Sequence, residues 1–155
     1  IKGQVVEDHF DPEIKLPLAA IIPEDYAPDV HQRLSFYKRL SDSQTPEALH
    51  EIELELQDRY GKPPTEVQNL FWLIRIKQLL RQFHIKNLVC GKERVSLEAG
   101  TDAKLSPQKM LALVQKNPRN YSVTPDSKII INLKVDSVQR LFHEVQSFLG
   151  QVAEQ

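Results

Sequence analysis

The side chains able to do chemistry are thinly spread in this sequence. The five histidines, His9, His31, His50, His84 and His143, stand far apart, and no pair has the i, i+4 spacing that puts two imidazoles on one helix face for a metal. The nearest approach to a ligand set is Asp8, His9, Asp11 and Glu13, whose donors would suit a divalent cation. The same four residues are read here as a solvated acidic strand edge. Glu24-Asp25 is a carboxylate pair, but it lies between Pro23 and Pro28 and reads as loop polarity leading into a helix. Gly61-Lys62 resembles the tail of a phosphate loop, yet Pro63-Pro64 stand where the hydroxyl and the helix should follow. With 5 glycines in all, no Gly-rich cradle can be built. Cys90 follows Leu88-Val89 in an apolar run and is expected as a buried strand residue rather than a nucleophile. No serine or cysteine has a recognisable base partner. The chain is therefore expected to be non-catalytic, with no cofactor and no metal.

The elements that must position these residues fall into two halves. Residues 1–28 read as extended, a strand or an extended strap lying across the domain, because the run from Leu16 to Ile22 is short and bounded by prolines. A helix is predicted from Pro28, with Val30, Leu34 and Tyr37 toward the core and Arg33, Lys38 and Arg39 outward. The next helix is bounded by Thr45-Pro46 at its start and Gly61 at its end, with Leu49, Ile52, Leu56 and Tyr60 as its apolar stripe. A third, from about Pro64 to Phe83, is apolar almost all round its axis and is expected to be buried on most sides. Beyond it the rhythm changes. Lys86–Cys90 and Arg94–Glu98 read as a hairpin turning at Gly91-Lys92, and Ser106-Pro107 opens a helix carrying Met110, Leu113 and Val114. Tyr121–Thr124 and Lys128–Lys134 read as a second hairpin. Asp136 is expected to cap a last helix striped by Val138, Leu141, Phe142, Val145 and Leu149. The fold class is α+β: a helical first half with a long buried central helix, then strand-strand-helix twice, forming a small antiparallel sheet. Residues 29–155 are expected to form a single domain.

At 155 residues, 41% hydrophobic and 26% charged, the chain has the make-up of one globular domain. No stretch approaches the roughly 18 apolar residues of a membrane span, and no signal peptide opens it. The only methionine is Met110 and the chain starts at Ile1, so it is expected to be a piece of something longer. A single cysteine fits a reducing, cytoplasmic setting. The net charge of −1 hides an asymmetry. Residues 1–62 carry 7 Lys and Arg against 13 Asp and Glu, and residues 63–155 carry 13 against 8. The acidic part argues against nucleic-acid binding there and allows a basic protein partner.

Two stretches carry more specific information. Residues 21–40 read IIPEDYAPDVHQRLSFYKRL, and residues 53–61 read ELELQDRYG, followed after two prolines by the long apolar helix. Together with the opening IKG and the strap DPEIKLPLAAIIP, these segments resemble the carboxy-terminal domain of bacterial transcription-repair coupling factors, the Mfd proteins. The resemblance is strongest over residues 13–83 and rests more on element order after Cys90. It implies a regulatory, non-catalytic domain of an ATP-driven DNA translocase whose motor motifs lie upstream. It further implies that the domain packs on an amino-terminal UvrB-like module of its parent, masks UvrA binding and restrains the motor. The parent would bind RNA polymerase and DNA, and the domain itself is expected to be a monomer away from membranes.

The residues offer one matching surface. On the helix from Pro46 to Tyr60, the side opposite the apolar stripe holds Glu47, Glu51, Leu54, Glu55 and Asp58. A leucine among acids suits a small protein-binding patch, and Glu51, Leu54, Glu55 and Asp58 are the expected partner-binding residues. The same residues also fit an ordinary solvated face. A competing reading is a nucleic-acid-binding accessory domain, with the two hairpins presenting Lys92, Arg94, Lys128 and Lys134.

Overall fold

The computed structural model describes residues 11–154. Its elements are β1 (Glu13–Lys15), α1 (Val30–Asp42), α2 (Pro46–Tyr60), α3 (Thr65–Phe83), β2 (Ile85–Cys90), β3 (Arg94–Ala99), α4 (Pro107–Lys116), β4 (Tyr121–Val123), β5 (Lys128–Asn132) and α5 (Val138–Val152). This is the expected α+β order.

Punctuation explains the helix boundaries. The Thr45 hydroxyl accepts the Ala48 N–H at 3.1 Å, with Pro46 in the first turn of α2. Gly61 ends that helix at φ 86°, ψ −168°, a conformation open essentially to glycine alone, while its N–H donates to the Gln57 carbonyl at 2.9 Å. Helix α1 is capped by Asp29, whose carboxylate accepts from the N–H groups of His31 and Gln32. Helix α5 is capped by Ser137, which accepts the Arg140 N–H, and not by Asp136 as the sequence had suggested. Two adjacent residues can cap there, and the backbone selects the second. Asp136 instead pairs with Arg140 at 3.6 Å.

Helix α3 joins two hydrophobic cores. Val67, Leu70, Phe71 and Ile74 enter one with Ile22, Ala27, Phe36, Leu40, Leu49, Ile52 and Leu56. Ile76, Leu79 and Leu80 enter the other with the inner face of the sheet, α4 and α5. At about 100° per residue the two sets point in opposite directions, which is why the helix is apolar all round.

The sheet order is β1-β2-β3-β5-β4. Strands β2 to β5 pair antiparallel, as expected, and the two hairpins join through their second strands, Val95 opposite Ile131 and Leu97 opposite Ile129. The sheet is nevertheless mixed, because β1 adds to β2 in parallel, Ile14 beside Leu88. The strap continues across both cores. Leu16 and Leu18 pack on the sheet-side core, and Ala20 and Ile22 on the helical one. The Ile21 N–H donates to the Glu66 carbonyl at 3.2 Å, the Asn69 amide to the Ala19 carbonyl at 2.9 Å, and the Ile22 N–H to the Tyr37 hydroxyl at 2.6 Å.

Candidate partner-binding surface

Helix α2 buries Leu49, Ile52 and Leu56 against α1 and α3. Helical geometry then sends Glu47, Glu51, Leu54 and Asp58 the other way. Leu54 is 52% exposed, and Glu51 and Asp58 are exposed beside it. These three of the expected partner residues share one outward face.

Glu55 does not stand free with them. It lies on the flank of α2 toward α1, where Arg39 donates two hydrogen bonds to its carboxylate, each 2.8 Å, and Arg59 a third at 3.3 Å. The Arg39 hydrogen bonds hold the Glu55 carboxyl below its usual range against the opposing effect of burial, and the nearby Arg39 and Arg59 charges add to this. Arg59 also donates to the Gln32 side chain at 2.7 Å. Both guanidinium groups sit over the Phe36 ring, at 5.2 and 5.5 Å from its centroid. Glu55 thus serves as a brace between α1 and α2.

The expectation for α1 is corrected. Leu34 is 59% exposed and Val30 49%, whereas Phe36 and Leu40 take the buried positions. Val30/Leu34 and Phe36/Leu40 are both i, i+4 pairs, so periodicity alone cannot choose between them. The larger aromatic side chain and Arg33, which donates to the Ala27 and Pro28 carbonyls at 2.7 and 3.0 Å, go with the observed rotation. Tyr37 is half-buried through its hydroxyl contact with Ile22. Helix α1 therefore shows solvent an apolar pair that sequence reasoning placed inside. The signal was present as two competing stripes.

The other singled-out residues are also located. Cys90 is buried on β2, and desolvation pushes its thiol pKa up, away from nucleophilic character. Glu24 and Asp25 are exposed in the turn that closes from Pro23 to Ala27. Asp8 and His9 lie outside the described residues. Asp11 pairs with Arg81 at 3.5 Å and Lys77 at 3.8 Å. Among the described residues, no three metal-ligating side chains come together, and no helix is long and apolar enough to cross a membrane. A cavity of about 710 Å³ opens between α3 and α5. Its aromatic wall is Trp72, Phe142 and His143, with ring centroids 5.4 Å apart. Arg75 stands over Trp72 and is held in an ion pair by Glu53.

Residues 16–110 match the model of the TRCF domain family. The chain belongs to the TRCF domain family. The match takes in the strap from Leu16 on, α1 to α3, the first hairpin and the start of α4. The TRCF chain is 40% identical over 130 residues to the transcription-repair-coupling factor of Myxococcus xanthus, covering 84% of this chain and 11% of that protein. It is 28% identical over 142 residues to the transcription-repair-coupling factor of Escherichia coli K12, covering 92% of this chain and 12% of that one. It thus spans about a tenth of the length of these relatives. In fold it is similar to a crystal structure of the C-terminal domain of transcription-repair coupling factor, with a TM-score of 0.72 at 16% identity, over 90% of this chain and 93% of the other. The β4–β5 hairpin and α5 lie beyond the family match. The resemblance read from the Ile21–Leu40 and Glu53–Gly61 stretches is borne out, as is the α+β fold.

Proposed function

We propose that this TRCF domain is the regulatory clamp of a DNA translocase in transcription-coupled repair. Its α2 face, Glu51, Leu54 and Asp58 with Glu55 at the flank, packs on a basic, UvrB-like module of the same parent protein. Closed in this way, it masks the surface that UvrA would use and restrains the motor. The strap, residues 1–28, links the domain to the motor upstream. The observation that carries the reading is Leu54, 52% exposed on a helix whose neighbouring outward side chains are acids. A partner with one apolar pocket and a basic rim fits such a face.

The contact need not be strong. With a module affinity of ~10 μM and an effective concentration of ~1 mM, the closed state is favoured about 100-fold, a balance that a competing partner can tip. The test uses the full-length parent carrying Glu51→Lys, Leu54→Ala and Asp58→Lys, with Glu55 left to its arginines. UvrA affinity and basal ATPase should both rise. Unchanged UvrA affinity in a folded triple variant would remove α2 from the clamp.

A further inference from the structure

We propose that one end of the sheet binds the phosphate backbone of duplex nucleic acid, through Lys92, Arg94, Arg119 and Lys134. This rests on a different surface from the α2 face. The Gly91 N–H donates to the Arg94 carbonyl at 2.8 Å and closes the β2–β3 turn with Lys92 at its tip. Arg94 begins β3 opposite Asn132, the last residue of β5. The Leu133 N–H donates to the Glu93 carbonyl at 3.0 Å, which brings Lys134 beside that turn. The Asn132 amide donates to the Arg119 carbonyl at 2.7 Å, and its N–H to the Asn120 carbonyl at 2.8 Å, which adds the turn before β4. Three segments distant in sequence thus deliver four cations to one edge of the molecule.

All four are exposed, and among the described residues none has an ion-pair partner. The acids in these segments are Glu93 and Asp136, and Asp136 is taken by Arg140. The opposite end of the same sheet is arranged differently. There Lys86 pairs with Glu98 at 3.6 Å, Lys128 with Asp126 at 3.8 Å, and His84 with Asp102 at 2.7 Å. The competing set read from sequence therefore divides, with Lys128 neutralised and Lys92, Arg94 and Lys134 left unpaired. Lys104, in the loop after β3 at the opposite end, is exposed without an ion pair among the described residues, but its charge acts on Asp102 beside it.

The partner's class follows from what this end lacks. The exposed large apolar residues are Ile21, Val30, Leu34, Leu54, Val89, Leu111 and Val123, none of them in the turns that carry the cations. A protein partner would call for an apolar or aromatic centre, and single-stranded nucleic acid for aromatic platforms. Isolated cations on backbone turns contact phosphates and carry no base readout. Four strand ends about 4.8 Å apart span roughly 14 Å, enough to lay the cations along a short stretch of duplex backbone.

The test is fluorescence anisotropy of a labelled 20-base-pair duplex titrated with this 155-residue chain across a potassium chloride series. The expected result is weak, sequence-independent binding whose logarithm falls with log salt at a slope of about −3 to −4. Lys92→Glu, Arg94→Glu and Lys134→Glu together should weaken it more than about tenfold at 50 mM salt. Lys86→Gln with Lys128→Gln, at the opposite end, should change it less than about twofold, since those charges are already neutralised. If circular dichroism shows the reversals disturb the fold, glutamine replaces glutamate at the same three positions, and each substitution should reduce the slope by about 0.9. Absence of duplex binding at 50 mM salt overturns the proposal, and so does equal loss from both ends or an unchanged slope in the glutamine triple variant. Tighter binding of a single-stranded 20-mer, or binding of polyglutamate without the duplex, assigns this end to another partner and overturns it too.

Discussion

Arg39 of α1 and Glu55 of α2 meet fork to fork, two hydrogen bonds of 2.8 Å linking helices whose paired residues lie sixteen apart in sequence. The bidentate geometry fixes the rotation of α1 on α2 as well as their separation. It also changes which acids of α2 can serve a partner, because Glu55 already has two arginines.

Glu55→Ala is expected to destabilise the domain by about 0.5–1 kcal/mol, the range for a well-formed but solvent-accessible pair. Glu55→Lys should cost more, since it sets a cation against both Arg39 and Arg59. Asp58→Lys, on the outward face, should stay within about 0.5 kcal/mol of the parent. Urea unfolding followed by circular dichroism checks all three. Equal effects at positions 55 and 58 would show that the brace contributes nothing.

Acid should weaken the fold through four identifiable carboxylates. The Arg39 hydrogen bonds hold Glu55 below its ordinary pKa, the Asn87 amide does so for Glu98, the His84 hydrogen bond for Asp102 and the Thr124 hydroxyl for Asp126. A carboxyl whose pKa is lower folded than unfolded contributes stability above its unfolded value. That contribution is lost as pH falls through the lower folded value. The urea midpoint should therefore be flat near neutrality and decline as pH drops below the ordinary carboxylate range. Asn87→Ala should flatten part of that decline, and an unchanged acid limb would mean Glu98 does not contribute to it.

Two glycines should respond to alanine with opposite signs. Gly150 lies inside α5 with no atom within 4 Å of where a Cβ would sit. Gly150→Ala should stabilise by about 0.5–1 kcal/mol through helix propensity and lost unfolded-state freedom. Gly61 sits at φ 86°, so Gly61→Ala should destabilise by about 1–3 kcal/mol although nothing crowds it. Thermal melts of the two variants should move in opposite directions.

The features written in local chemistry were the ones legible from sequence. Thr45-Pro46 and Gly61 bound α2 as expected, and Pro63-Pro64 separates it from α3. The turns at Gly91-Lys92 and Pro125-Asp126-Ser127 mark the two hairpins. What escaped depended on contacts distant in sequence. A strand in the strap was legible, but its parallel pairing with residues more than seventy positions away was not, because a three-residue strand carries no periodicity to announce its partner. The rotation of α1 was ambiguous because two apolar pairs had the same spacing. Phe148, fully buried against Tyr121 with ring centroids 5.3 Å apart, was left out of the α5 stripe, since its partner lies on β4. The patch on α2 shows both cases. The outward placement of Leu54 followed from the stripe, while the engagement of Glu55 required knowing where α1 would lie.

Helix α3 gives one wall to each hydrophobic core, and that has a thermodynamic consequence. Neither core can open without stripping apolar cover from a helix the other needs, so sub-global unfolding of one half is penalised by exposure in the other. Amide protons in the middle of α3 should exchange with solvent only through opening of the whole domain. Ligation at a remote surface then acts on everything joined by that helix: a partner that docks on α2 and binds only the folded state protects the sheet from exchange as well, without touching it.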